Sequence, residues 1–160
     1  GSGWNVIVSN GDISQNNGSG FSLASSKTRF AVRLNPGAQT RYFGPSSGLN
    51  EGQWYHAVIT RSNTVIKTYL DGEERDDHTQ DNAGLNVDVD TATPLRIGVD
   101  HYVDGNGIAT RYYTSLIDDV KLYNRALSLS EVKRNFRASS AKHSIGASKN
   151  WSDDFDDSFI

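Results

Sequence analysis

The sequence contains no cysteine and no methionine. Without thiols, a disulfide framework, a thiolate zinc site and a cysteine nucleophile are all excluded, so stability has to come from burial and hydrogen bonding. Long apolar runs are also lacking: none approaches the roughly 18 residues of a membrane span. The start, Gly1-Ser2-Gly3, has neither the basic region nor the apolar core of a secretory signal, and lacking methionine it is no initiator, which leaves room for an upstream segment. Neither spanning nor insertion in a membrane is expected. Charge of one sign is scarce as well. Sixteen Lys+Arg stand against 19 Asp+Glu for a net charge of -3, with no basic block to follow a nucleic-acid backbone. A chain of 160 residues is long enough for one ordinary domain with its own core.

What is present is glycine and aromatics. Fifteen glycines, seven tyrosines, six phenylalanines and three tryptophans punctuate short apolar runs, the pattern of an all-β protein. Strands are expected at residues 4–8, 21–23, 28–34, 41–43, 53–60, 64–70, 94–98 and 112–123. In the third of these, Phe30, Val32 and Leu34 alternate inward against Arg29, Ala31 and Arg33 outward. Asp71-Gly72 is the strongest hairpin turn in the chain, because both positions suit a positive φ. The polar stretches 73–90 and 99–111 read as a strand stub with a long loop, and as a second exposed loop. Ser128-Leu-Ser-Glu131 fits a capping box, which predicts a helix of about two to three turns from Leu129 to about Arg137. Apolar content then collapses into Ser- and Lys-containing sequence of linker type. Residues 1–138 are therefore expected to form the domain, and 139–160 a linker and an acidic, aromatic tail.

Three segments in order carry a resemblance: Gly52-Gln-Trp-Tyr-His-Ala-Val58, Thr68-Tyr-Leu-Asp-Gly72, and Leu95-Arg-Ile-Gly98 leading to Ile117-Asp-Asp-Val-Lys-Leu-Tyr-Asn-Arg-Ala-Leu-Ser-Leu-Ser-Glu131. Together they resemble the LamG-like domains of the concanavalin A-like lectin/glucanase superfamily, over about residues 4 to 137. The resemblance implies a jelly-roll sandwich of two curved antiparallel sheets with one short C-terminal helix. It also implies a non-catalytic module for glycans or protein partners, outside the cell, on its surface or on a virion. Family members usually begin with two or so further strands. Their absence here implies an unpaired N-terminal edge, with the strands either supplied by another polypeptide or cut away from a longer domain. The end of the domain is also similar, more weakly, to LamG-like domains in tailed-phage structural proteins.

Candidate sites are few. Strand alternation puts Asp118 on the face of Val120 and Leu122, pointing toward a core, where a carboxylate needs a cation or backbone donors. In look-alike domains this first aspartate often helps to hold a structural calcium ion, so Asp118 is the candidate metal ligand. Calcium takes six to eight oxygens, however, and the strands expected to supply the others are absent. Trp54 and His56 read as packing against the sheet. Asp76, Asp77, His78 and Asp81 match no ligand spacing and read as a solvated loop. Asp100, Tyr102, Asp104 and Asn106 offer an aromatic face for a sugar ring and polar groups for its hydroxyls, the candidate site for a polysaccharide or cell-surface glycan. In the tail, Trp151, Phe155 and Phe159 are spaced four apart among four aspartates and, with Ile160, form a candidate docking segment for a protein partner. Catalysis finds no support. The nearest approach to the glucanase Glu-x-Asp-x-x-Glu pattern is Glu74-Arg-Asp76-Asp-His-Thr79, which ends in threonine, and no Ser/His/Asp, P-loop or dinucleotide signature occurs.

Overall fold

A computed structural model describes residues 5–10, 20–26, 30–35, 39–43, 49–63, 65–75, 93–99 and 112–146. Within them lie eight strands and one helix: β1 (Asn5–Asn10), β2 (Gly20–Ser25), β3 (Phe30–Asn35), β4 (Gln39–Phe43), β5 (Ala57–Ser62), β6 (Val65–Leu70), β7 (Glu73–Arg75), β8 (Arg96–Ile97) and α1 (Leu129–Gly146). The strands form two antiparallel sheets, one ordered β4-β3-β2-β1-β8 and the other β5-β6-β7. The two-sheet, all-β architecture expected from the sequence is thus the one observed.

The core lies between the sheets. Val32 packs on Ile66, with Phe21 and Ile59 beside them, and Phe30 packs on Leu70 among Ile7, Leu23, Leu49, Tyr55 and Ala57. Each fully buried aliphatic or aromatic side chain of this kind contributes about 1.5–3 kcal/mol. Alternation along β6 sends Ile66 and Leu70 into that layer and Tyr69 to the opposite face, where it meets Leu127 and Val132 beneath α1. The molecule is therefore three layers deep at β6, and the helix is its outer layer.

Three expectations are corrected. Ala31, placed outward by alternation, is buried along with Ser9, Ser22 and Ala24, so the outer face of the larger sheet is covered too and carries small side chains. The helix does not stop near Arg137 but continues to Gly146, through residues that read as linker. Residues 112–123 are not a strand. After the bridge between Val99 and Tyr112 and the bond from Tyr113 N–H to the Gly98 carbonyl (2.8 Å), the chain runs on without a ladder. Asp119 takes φ 51°, a left-handed conformation that interrupts the alternation on which the strand reading depended.

The turns follow from their residues. Asp71 (φ 53°) and Gly72 (φ 80°) close the β6–β7 hairpin with both central residues left-handed. The Asp71 carboxylate accepts a bond from the His56 backbone N–H (2.8 Å), while the Asp71 N–H donates to the His56 carbonyl (2.9 Å). The turn is thereby clipped to the entry of β5.

Candidate functional site

The polar groups among the described residues converge where the C-terminal half of α1 crosses residues 117–123 and the entry to β5. The helix is set by its cap. Ser128 N–H donates to the Glu131 carboxylate (2.9 Å), the Glu131 N–H points back at the Ser128 hydroxyl (3.4 Å), and Arg125 grips the same carboxylate with two nitrogens (2.6 and 2.9 Å). The guanidinium, followed by the Ser128 bonds, holds the Glu131 carboxyl far below the usual carboxylate range. Val132, fully buried against Tyr69 and Leu127, fixes the helix's rotation.

That rotation aims the helix's last turns at Asp118. Lys142 Nζ lies 2.6 Å from one Asp118 oxygen and 3.4 Å from Asp119, and His143 Nε2 is 3.6 Å from Asp118. The Asp119 N–H donates to the other Asp118 oxygen (2.8 Å). The Lys142 bond, and after it that backbone bond, lower the Asp118 pKa. The His143 ring stacks on Trp54 at 4.2 Å and 18°, leaving Trp54 41% exposed. Next along the chain, His56 is tilted against Phe136 at 5.9 Å, and its Nδ1 is buried without a hydrogen-bond partner. Burial lowers the His56 pKa, opposed by the Asp71 carboxylate and assisted by Lys121.

Asp118 is consequently not the core-facing carboxylate that alternation predicts. It is an exposed partner of a helix lysine, because the left-handed Asp119 and the absent ladder turn this stretch away from the sheet. Nor does its setting fit calcium: an ammonium group already neutralises it, and among the described residues no group of three His, Asp or Glu side chains is arranged to hold a metal ion. Trp54 and His56 do pack, although on α1 and ahead of β5 instead of within a strand. Asp100, Tyr102, Asp104 and Asn106, the acid/His stretch 76–81, and Trp151, Phe155, Phe159 and Ile160 lie outside the described residues. Sequence reasoning missed Arg125, Lys142 and His143. For Lys142 and His143 the signal was the lack of any glycine or proline between Leu129 and Gly146, which permits a helix long enough to reach Asp118.

A second feature adjoins this cluster. Leu116 and Leu122 are 77% and 64% exposed, and Val120 and Tyr123 are exposed beside them. Among the described residues, no backbone hydrogen bond joins residues 116–122 to another strand.

The family model for the concanavalin A-like lectin/glucanases superfamily, Laminin_G_3, matches residues 1–133. The chain is 32% identical over 82 residues, 51% of its length, to the adhesion G-protein coupled receptor V1 of Danio rerio, and it spans only 1% of that receptor. An S-layer domain-containing protein from Clostridium thermocellum is similar at 24% identity, covering 84% of this chain and 63% of the other, with a TM-score of 0.40.

Proposed function

Because the chain belongs to the concanavalin A-like lectin/glucanases superfamily, we propose that it is a non-catalytic binding module of a larger extracellular or surface protein, and that its ligand is a glycan. The observation that carries the glycan reading is the anchoring of residues 100–111. The Val99–Tyr112 bridge and the Tyr113 to Gly98 bond clamp the two ends of this segment together, and the Ser9 hydroxyl ties Val99 to β1 (3.0 Å). A recognition loop held on a rigid base is the arrangement binding sites favour. Support for a non-catalytic role comes from how the acids are employed. Of the four glutamates, Glu73, Glu74 and Glu131 face Lys133, Lys67 and Arg125, so three of them are engaged in ion pairs on the surface. The adhesion receptor among its relatives agrees with an attachment role.

In this reading Tyr102 stacks on a sugar ring while Asp100, Asp104 and Asn106 bond its hydroxyls. A broad glycan array should find a ligand for the wild type. Tyr102→Ala should reduce binding at least about tenfold, which corresponds to about 1.4 kcal/mol of lost contact, with an unchanged melting temperature. Binding that survives the substitution moves the site elsewhere. A wild type that binds no glycan at all favours a second reading, a structural subunit of a virion or similar assembly whose N-terminal edge and tail pair with neighbouring chains. The unpaired apolar stretch 116–123 is the observation on its side. A solution mass above that of the monomer is its expected signature.

A further inference from the structure

We infer that the second half of α1 is a clasp that acid opens: a proton taken up by the His56 ring expels the Phe136 ring packed against it and frees the helix from there to Gly146. This goes beyond the glycan reading and does not rest on it. Three observations lead there.

The first is what holds this half of the helix. Phe136 rests on His56 and Gly72, Lys142 bonds Asp118, and His143 stacks on Trp54. Phe136 has its place because Gly72 carries no side chain, since a Cβ there would stand 3.0 Å from the ring. The second is the state of the His56 ring. Its main chain is fixed to the β6–β7 turn in both directions, by the N–H to the Asp71 carboxylate (2.8 Å) and by the carbonyl from the Asp71 N–H (2.9 Å). His56 therefore stays with the sheet, and the helix is the side that gives. Its Nδ1 is buried with no hydrogen-bond partner among the described residues. A shielded nitrogen without a partner costs least as a bare lone pair, which puts the proton of the neutral ring on Nε2. The proton that charges the ring has to enter at Nδ1, where it becomes a buried donor with no acceptor beside an apolar ring. Displacing Phe136, and the helix with it, lets water reach that atom.

The third is the charge around the ring. Burial acts most strongly against the charged form; the Asp71 carboxylate, already committed to the His56 backbone N–H, opposes it, and Lys121 from the 116–123 stretch adds to it. From α1 the ring meets Phe136, which offers a proton no counter-charge. The docked ring thus binds a proton less readily than the undocked one, and docking weakens as pH falls below the ordinary histidine value of about 6.5. The remaining contacts hold in that range. Lys142 keeps the Asp118 carboxyl below the ordinary carboxylate range, so their pair persists at pH 5. A protonated His143, 3.6 Å from the Asp118 carboxylate, is drawn toward it and so works against opening. His56 is the group through which mild acid acts on the clasp.

The test is amide exchange on the full chain at pH 7.5 and pH 5, expressed as protection factors so that the intrinsic pH dependence drops out, for wild type, His56→Gln and His143→Gln. In the wild type, protection of residues 137–146 should fall on the order of tenfold between the two pH values, with β2 and β3 unchanged. His56→Gln should make that protection independent of pH, and His143→Gln should keep the fall or enlarge it. Protection of 137–146 that is equal at both pH values in the wild type overturns the proposal. A fall that survives His56→Gln and disappears in His143→Gln overturns it too, and assigns the response to the stacked ring. An NMR titration of the wild-type His56 ring keeps the proposal falsifiable if the His56 variant does not fold: the ring should titrate in step with the loss of protection. A ring that becomes charged while residues 137–146 stay protected contradicts the clasp.

Discussion

At the scale of single residues, the contrast between Asp118 and Glu131 shows what sequence position does and does not determine. The role of Glu131 is local: it lies three residues after Ser128, and the cap forms as the pattern predicts. The role of Asp118 depends on Lys142, 24 residues away, and on the left-handed turn of Asp119, neither of which alternation can express. Its pairing is exposed, and exposed ion pairs contribute little. Asp118→Ala should accordingly lower the melting temperature by no more than a few degrees, unlike the loss of a buried carboxylate, with faster amide exchange confined to the last turns of α1. A collapse of core protection would contradict this placement. The pH dependence has a definite sign. A folded pKa below the unfolded one, as for Asp118 and Glu131, gives stability that is present above the ordinary carboxylate pKa and is lost as pH falls through the folded value. The Asp118→Ala melting curve should therefore be flatter than wild type on its acid side.

At the scale of elements, the hairpins and the helix start were legible because their signals are short-range. Asp-Gly suits two left-handed residues, and Ser-x-x-Glu supplies both halves of a cap. The helix end was not legible, since serines with alanine and lysine read as a linker until Trp54 and Asp118 give them something to dock on. The supposed last strand failed for the converse reason: alternation shows that a strand is possible, but a ladder needs a neighbour. Gly72 illustrates how an element's sequence can serve two layers. Its φ of 80° already disfavours a side chain, and a Cβ there would stand 3.0 Å from the Phe136 ring of α1. Gly72→Ala should cost about 1–3 kcal/mol in chemical denaturation. Part of that cost should vanish in the Phe136→Leu background, which relieves the contact and leaves the backbone strain. Simple additivity of the two substitutions would mean that helix and hairpin are not in contact.

At the scale of the whole molecule, the sandwich was readable from strand-sized apolar runs, whereas the third layer was not. Tyr69 and Val58 look like ordinary strand residues until Val132 and Leu127 cover them. The consequence is that the helix forming this layer runs past the change in composition. A chain ending at Ala138 keeps Val132 and Phe136 but loses Lys142 and His143; one ending at Gly146 keeps all four. Both lack the tail, so their difference isolates the last two turns of the helix. The stacked His143–Trp54 pair should contribute about 0.5–1.5 kcal/mol beyond its burial. For a domain of this size about 1 kcal/mol corresponds to roughly 2–4 °C, so the chain ending at Ala138 should melt several degrees lower than the chain ending at Gly146. Its tryptophan emission should also shift to the red as Trp54 loses its cover. Full-length His143→Ala should reproduce the emission shift without any truncation. Identical melts and spectra for the two shortened chains would mean that the helix beyond Ala138 is not bound to the body, and that the composition change does mark the boundary.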